Sequence, residues 1–174
     1  MIIFILIIVV IVGIFLYVSQ KPDVFRIERA VLINAPKEAI FPLINDFRAW
    51  TSWSPYEKMD PALSRKYSGA ASGVGAVYEW ESTNNKVGKG RMELIESVAP
   101  EKVFIKLDFM KPFEGHNQSA FIMKSVGDST EVTWSTTGPQ PFISKIMCLF
   151  INMDKLVGDD FATGLANLKA VVEK

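Results

Sequence analysis

The sequence predicts an α+β domain in which a curved antiparallel sheet of about six or seven strands wraps around one long carboxy-terminal helix. Short segments with alternating apolar residues, separated by turn residues, run from residue 64 to residue 138. From Pro141 onward, apolar residues instead recur every three or four positions, which is the period of a helix. Because the connections between the strand segments are mostly short, neighbouring strands are expected to pair as antiparallel hairpins.

The amino-terminal segment "IIFILIIVVIVGIFLYV", residues 2 to 18, carries no charge. A helix of this length spans about 26 Å, close to the roughly 30 Å hydrocarbon core of a bilayer. A soluble core helix would need a polar face, and a cleavable signal would need preceding basic residues and a small-residue cleavage site. We therefore predict a single-pass membrane anchor at 1–20, a short linker at 21–24 and one domain at 25–174. Basic residues after the span predict a cytoplasmic domain.

The first strand is predicted at 25–33, "FRIERAVLI", because Ile27, Val31 and Ile33 share one face. The segment "NAPKEAIFPLINDF" follows, with Pro36 suited to the first position of a helix. Pro42 lacks the backbone donor that a helix interior requires, so it should kink or end this helix, and two short helices are expected instead of one long helix. Six further strand segments follow: "SRKYSG", "AVYEWES", "GKGRMELIESV", "VFIKLDFM", "NQSAFIMKSV" and "TEVTWSTTG".

The carboxy-terminal apolar stripe extends from Ile146 to Val172. A single helix of that length would exceed about 40 Å, so a break is expected near 152–154. Gly158 and Gly164 each cost about 1 kcal/mol relative to alanine inside a helix. Their presence indicates a close approach, either to the sheet or to a ligand.

Composition excludes several classes of function. Lysine plus arginine equals aspartate plus glutamate at 19 each, so the charge balance gives no indication of nucleic-acid binding. One cysteine, Cys148, and one histidine, His116, exclude a disulfide framework and a multi-histidine metal site. The glycines of "SGAASGVG" precede a strand and lack a following Lys-Ser or Lys-Thr, so they do not predict a phosphate cradle. We predict no metal and no cofactor.

Several motifs in order resemble one known superfamily: "INAPKEAIFPLINDF", "WTSWSPYEKMDP", "YSGAASGVGAVYEW", "VGKGRMELIE", "STEVTW" and "DKLVGDDFATGLANLK". Together they resemble the START-like, polyketide cyclase/dehydrase superfamily (SRPBCC), including its membrane-anchored members, over residues 25–173. The resemblance implies a helix-grip fold with a deep pocket that takes lipids, sterols, polyketides or other apolar molecules. It implies no particular reaction, because fold alone does not settle function.

The aromatic loop, residues 50–61 ("WTSWSPYEKMDP"), is then expected near one end of the pocket. Trp50, Trp53 and Tyr56 would form an aromatic cover over the cavity, shaped by two prolines. The alternative is a small local core that holds the loop on the domain.

Strand alternation predicts the side chains that face the pocket, since polar partners such as Glu79, Glu93 and Lys106 must point outward. The predicted ligand-binding residues share an inward position on a strand, in the aromatic loop or on the long helix. They are Trp53, Tyr78, Trp80, Met92, Leu94, Leu107, Phe109, Asn117, Phe121, Met123, Trp134, Phe161 and Leu165.

The sequence favours binding of a hydrophobic small molecule over catalysis. An enzyme of the polyketide cyclase or dehydrase type would need a polar acid/base pair in the pocket. Tyr78 could donate a proton, but no base to partner it is evident from the sequence, and His116 with Glu114 lies in a glycine-flanked loop. A third possibility is a protein-interaction domain whose interior is filled. The sequence does not indicate the oligomeric state.

Overall fold

The computed structural model describes residues 2–84 and 87–174, and over these ranges the chain forms one seven-stranded antiparallel sheet in the order β1-β7-β6-β5-β4-β3-β2. Met1 of the predicted anchor, and Asn85 and Lys86 between the predicted strand segments "AVYEWES" and "GKGRMELIESV", lie outside the described residues. The predicted α+β class, the antiparallel sheet and the carboxy-terminal helix are confirmed. The strands are β1 Val24–Ile33, β2 Ser64–Gly69, β3 Ala76–Glu81, β4 Lys89–Val98, β5 Lys102–Lys111, β6 Gly115–Val126 and β7 Ser129–Pro139.

Helical segments lie at both ends of the chain and between the first two strands. Two 3-10 helices, Phe47–Ser52 and Pro55–Lys58, shape most of the aromatic loop. The α-helices are α1 Ile2–Ser19, α2 Lys37–Asn45, α3 Phe142–Met147 and α4 Met153–Val172.

The predicted transmembrane anchor is wrong: among the described residues, no helix is both long and apolar enough to cross a membrane. α1 runs over 18 residues, Ile2–Ser19. The carboxy-terminal end of α1 packs on the domain, where Val18 is fully buried and the rings of Phe15 and Phe142 lie 5.1 Å apart. The single-pass localisation, and the cytoplasmic side inferred from it, are corrected accordingly.

Pro42 lies inside α2 and does not end it, so of the two predicted effects, a kink or a break, the break is not found. α2 continues through Pro42 to Asn45, and the proline side chain is exposed, so its ring meets solvent. The lost backbone hydrogen bond is offset by burial of Ile40, Phe41 and Ile44 on the opposite side. The next helical segment is the 3-10 helix Phe47–Ser52, begun by Asp46, whose carboxylate accepts from the Arg48 amide at 2.8 Å.

The carboxy-terminal stripe divides as expected into α3 and α4, with the break at 148–152. α4 packs on β1 and β7, and both of its glycines lie against the sheet rather than against open space. A Cβ at Gly158 would overlap the guanidinium of Arg29, and one at Gly164 would lie 2.8 Å from the Trp134 ring. The close approach predicted from these glycines is therefore made to the sheet.

Candidate functional site

A cavity of about 1200 Å³ lies between the sheet, the aromatic loop and the α3–α4 region. Its wall consists of residues from β1 and from β3 to β7, part of the aromatic loop, one face of α4 and the loop 148–152. Aromatic and aliphatic groups predominate in this lining. The cavity is somewhat larger than the roughly 300 to 1000 Å³ range usual for small-molecule sites.

Eight of the predicted ligand-binding residues line this cavity. Strands β3 and β4 contribute Tyr78, Trp80 and Met92. The remaining strands and α4 contribute Leu107, Phe109, Asn117, Trp134 and Phe161. Contact between any of these side chains and a ligand remains a prediction.

Five other predicted residues are packed behind the wall and are at most 2% exposed: Trp53, Leu94, Phe121, Met123 and Leu165. Strand alternation identifies the inner face of the sheet but not how far along each strand the interior is already filled. Here α2 packs against β6 and fills one end of the interior. The open space is therefore confined to the other end.

The aromatic loop is fixed by its indole nitrogens. Trp50 Nε1 donates to the Ile44 carbonyl and Trp53 Nε1 donates to the Leu43 carbonyl, both at 2.9 Å. Trp50 and Tyr56 line the cavity, whereas Trp53 is fully buried. The loop thus combines the two alternatives raised by the sequence, since part of it forms a local core and part of it forms the cavity wall.

A polar pair that sequence reasoning missed lies in the cavity wall. The Tyr78 hydroxyl donates to Glu57 Oε1 at 2.6 Å, and Arg65 Nε donates to Glu57 Oε2, also at 2.6 Å. Glu57 and Tyr78 are only 8% and 4% exposed, and both line the cavity. Burial, followed by the hydrogen bond to Glu57, raises the pKa of Tyr78, so the phenol keeps its proton at physiological pH.

A second phenol–carboxylate pair lies on the helical side of the cavity. Burial, followed by the nearby charge of Asp160 on α4, raises the pKa of Tyr56, and both residues contribute to the lining. Burial raises the pKa of Asp160, and the nearby Asp159 adds to this effect. The same loop therefore brings two neighbouring residues, Tyr56 and Glu57, to two different polar contacts.

Charged contacts also position the edge of the cavity. Arg29 donates to Asp154 Oδ2 at 3.1 Å and to the Asp154 carbonyl at 2.9 Å, which ties the start of α4 to β1. His116 lies 2.8 Å from Asp108 on the neighbouring strand. Among the described residues, no group of three or more histidine, cysteine, aspartate or glutamate side chains is arranged to hold a metal ion.

The family described as polyketide cyclase/dehydrase and lipid transport matches residues 24–173. The chain belongs to this family. Membership confirms the superfamily predicted from the sequence motifs, over nearly the same residues. The comparison with curated proteins found no match.

Solved structures share the fold of this family member at low sequence identity. Protein CV1439 from Chromobacterium violaceum is 17% identical with a TM-score of 0.60, and the match covers 88% of this chain and 99% of that one. XoxI from Bacillus cereus is 18% identical with a TM-score of 0.62, covering 86% and 96%. DynU16, from the dynemicin biosynthetic locus, is 14% identical with a TM-score of 0.60, covering 88% and 48%. At these identities the similarity shows the fold alone.

Proposed function

We propose that the protein binds a hydrophobic small molecule, a lipid or a polyketide-like compound, in the cavity between the sheet and α4. The observation that carries this proposal is the 1200 Å³ cavity with its largely aromatic and aliphatic wall. Apolar surface that stays open inside a domain forgoes the stabilisation that packing would provide, and a hydrophobic ligand restores that burial. The family description, which includes lipid transport, supports the same class of ligand.

The experiment is mild purification followed by mass spectrometry under native and denaturing conditions. We expect a bound apolar compound at near-stoichiometric amount in the native spectrum, released on denaturation. An apolar fluorescent dye provides a second measurement, because it should bind in the cavity and be displaced by the released compound. Absence of both a bound compound and saturable dye binding would reject the proposal.

Matched tryptophan substitutions locate the binding to the cavity. Leu107→Trp adds a large side chain to the cavity wall and should weaken dye binding at least about tenfold by filling the space. Ile95→Trp places the same side chain on β4 at a position that is 44% exposed and outside the cavity lining, and should leave dye binding unchanged. Equal effects of the two substitutions would place the ligand elsewhere.

A second candidate function is catalysis of the polyketide cyclase or dehydrase type, favoured by the contact between Glu57 and Tyr78. This contact provides the carboxylate partner for Tyr78 that the sequence did not identify. DynU16, a structural neighbour, comes from a biosynthetic locus. Turnover of a polyketide-like substrate that is lost in Glu57→Gln while substrate binding persists would favour the enzyme. The open cavity argues against the third possibility, a filled interior that serves only protein contacts.

A further inference from the structure

We propose that Glu57 and Tyr78 form a hydrogen-bond-accepting anchor that selects neutral amphiphiles with a hydroxyl group and rejects anionic amphiphiles such as fatty acids. This inference rests on the proposed function, since it names the chemical class of ligand for the same cavity. It follows from the donors and acceptors that the pair leaves available.

The phenol of Tyr78 has only one proton to donate, and that proton is given to Glu57 Oε1 at 2.6 Å. The phenolic oxygen can still accept hydrogen bonds. The two oxygens of a carboxylate provide about four acceptor positions, and the two side-chain bonds to Glu57 occupy two of them. A ligand at this pair therefore meets acceptors and has to supply the donor.

Arg65 does not provide a cationic site for the ligand. Its Nε donates to Glu57 Oε2, while Nη1 donates to the Leu63 carbonyl at 3.0 Å and Nη2 to the Glu57 carbonyl at 3.1 Å. Arg65 also lies outside the residues that line the cavity. Its positive charge lies behind the wall and largely neutralises the negative charge of Glu57. An ammonium group on the ligand would therefore be attracted too weakly to Glu57 to compensate for its lost hydration.

Two further charged residues of the wall, Asp160 and Arg26, also do not favour a negative ligand at this pair. Asp160 adds a second carboxylate on the side of α4. Arg26, a cationic residue in the lining, is held by Glu28 at 2.6 Å. A carboxylate head group placed at the Glu57–Tyr78 pair would lose its hydration and face the carboxylate of Glu57, which is costly in an apolar surrounding.

The test uses four ten-carbon probes at pH 8: decane, 1-decanol, decanoate and decylammonium. Each competes with an apolar fluorescent dye for the purified full-length protein. We expect 1-decanol to bind about tenfold more tightly than either decanoate or decylammonium, since one good hydrogen bond in a desolvated site has roughly this value. Tighter binding of decanoate or decylammonium than of 1-decanol would overturn the inference.

Substitutions assign the preference to the pair. Tyr78→Phe removes the accepting oxygen and should reduce 1-decanol affinity about tenfold while leaving decane affinity unchanged. Glu57→Gln keeps the shape but replaces one acceptor by a donor, so it should reduce the preference for 1-decanol over decanoate. The control is Tyr67→Phe, because Tyr67 stacks on Tyr78 at 5.1 Å but does not line the cavity. It should bind all four probes like the unmodified protein.

The affinity for decane shows whether a negative result contradicts this inference or the proposed function. If neither decane nor the other probes bind, the proposed function itself fails. If decane binds and 1-decanol binds no more tightly, the apolar cavity is retained and the hydroxyl anchor is rejected. A Tyr78→Phe variant that binds 1-decanol normally would reject Tyr78 as an accepting group of the anchor, provided that its decane affinity shows the cavity to be intact.

Discussion

Trp134 of β7 and Phe161 of α4 stack with ring centroids 4.1 Å apart and planes only 10° from parallel. Phe121 of β6 also stacks on Trp134, with ring centroids 4.9 Å apart. Trp134 Nε1 donates to the Ser119 hydroxyl at 3.0 Å. This hydrogen bond limits rotation of the indole within its own plane, and stacking on Phe121 and Phe161 limits its tilt. This stack joins the long helix to the sheet and forms one end of the cavity wall.

Phe161→Ala should lower the free energy of unfolding by about 3 kcal/mol, the usual cost of removing a buried phenylalanine ring. The stack loses its helical member, and α4 loses a main contact with β7. Urea denaturation followed by tryptophan fluorescence measures the change. The control is Phe150→Ala, because Phe150 is 85% exposed and should alter stability by less than about 0.5 kcal/mol. Similar losses in both variants would contradict the role given to the stack.

The two glycines of α4 should respond differently to alanine. A Cβ at Gly164 would lie 2.8 Å from Trp134 Cζ3 and 3.0 Å from Pro55 Cδ, two rigid ring systems. Overpacking should therefore exceed the gain in helix propensity, and Gly164→Ala should destabilise by about 1 to 2 kcal/mol.

At Gly158 the obstructing group is the end of the flexible Arg29 side chain, which can move aside. Gly158→Ala should therefore change stability by less than about 0.5 kcal/mol, since the propensity gain offsets the displaced contact. Thermal and urea unfolding of both variants provide the comparison. A stable Gly164→Ala variant would show that the helix can withdraw from the sheet at no cost.

The sequence predicted the sheet and the helical face well because both follow a regular period. Alternation on β3 and β4 was sufficient to place Tyr78, Trp80 and Met92 on the inner face. Glu57 could not be found in this way, because it lies in a 3-10 helix within a proline-bounded loop and its burial depends on Tyr78 and Arg65 from distant strands. Glu57 is one of three charged residues in the aromatic loop, with Lys58 and Asp60, so its charge alone did not identify it.

The sequence also did not predict which inward-facing strand residues reach the cavity and which are packed behind its wall. Phe121 and Met123 share the inner face with Asn117, yet only Asn117 reaches the cavity. The difference depends on where α2 packs, which alternation along a single strand does not encode. Hydropathy of the first segment likewise indicated a span, without indicating that Val18 is buried against the domain.

Lys145→Met should make the segment 20–23, which connects α1 to β1, less stable. Lys145 is a buried lysine of α3 whose Nζ donates to the Lys21 carbonyl at 2.7 Å and to Asp23 Oδ1 at 2.6 Å. Its replacement removes both bonds, so amide hydrogen exchange between Val18 and Val24 should accelerate by about tenfold or more. Lys155→Met, at an exposed position on α4, is the control and should leave that exchange unchanged. Unchanged exchange in Lys145→Met would mean that apolar contacts alone stabilise the segment 20–23.

His116 should titrate above its ordinary pKa. The hydrogen bond to Asp108 is the main cause that raises the pKa of His116, and the charges of Asp108 and Glu114 add to it, so the protonated imidazole is favoured in the folded state. Because the folded pKa lies above the unfolded value of 6.5, the contribution to stability is fully present below pH 6.5 and is lost as pH rises through the folded pKa. As the only histidine in the chain, His116 gives an unambiguous imidazole titration by NMR.

Asp108→Asn should return the pKa of His116 towards 6.5 and remove this pH dependence, whereas Glu114→Gln should produce a smaller shift, since Glu114 lies farther away at 3.4 Å. A midpoint at or below 6.5 in the unmodified protein would show that the imidazole does not engage Asp108 in solution.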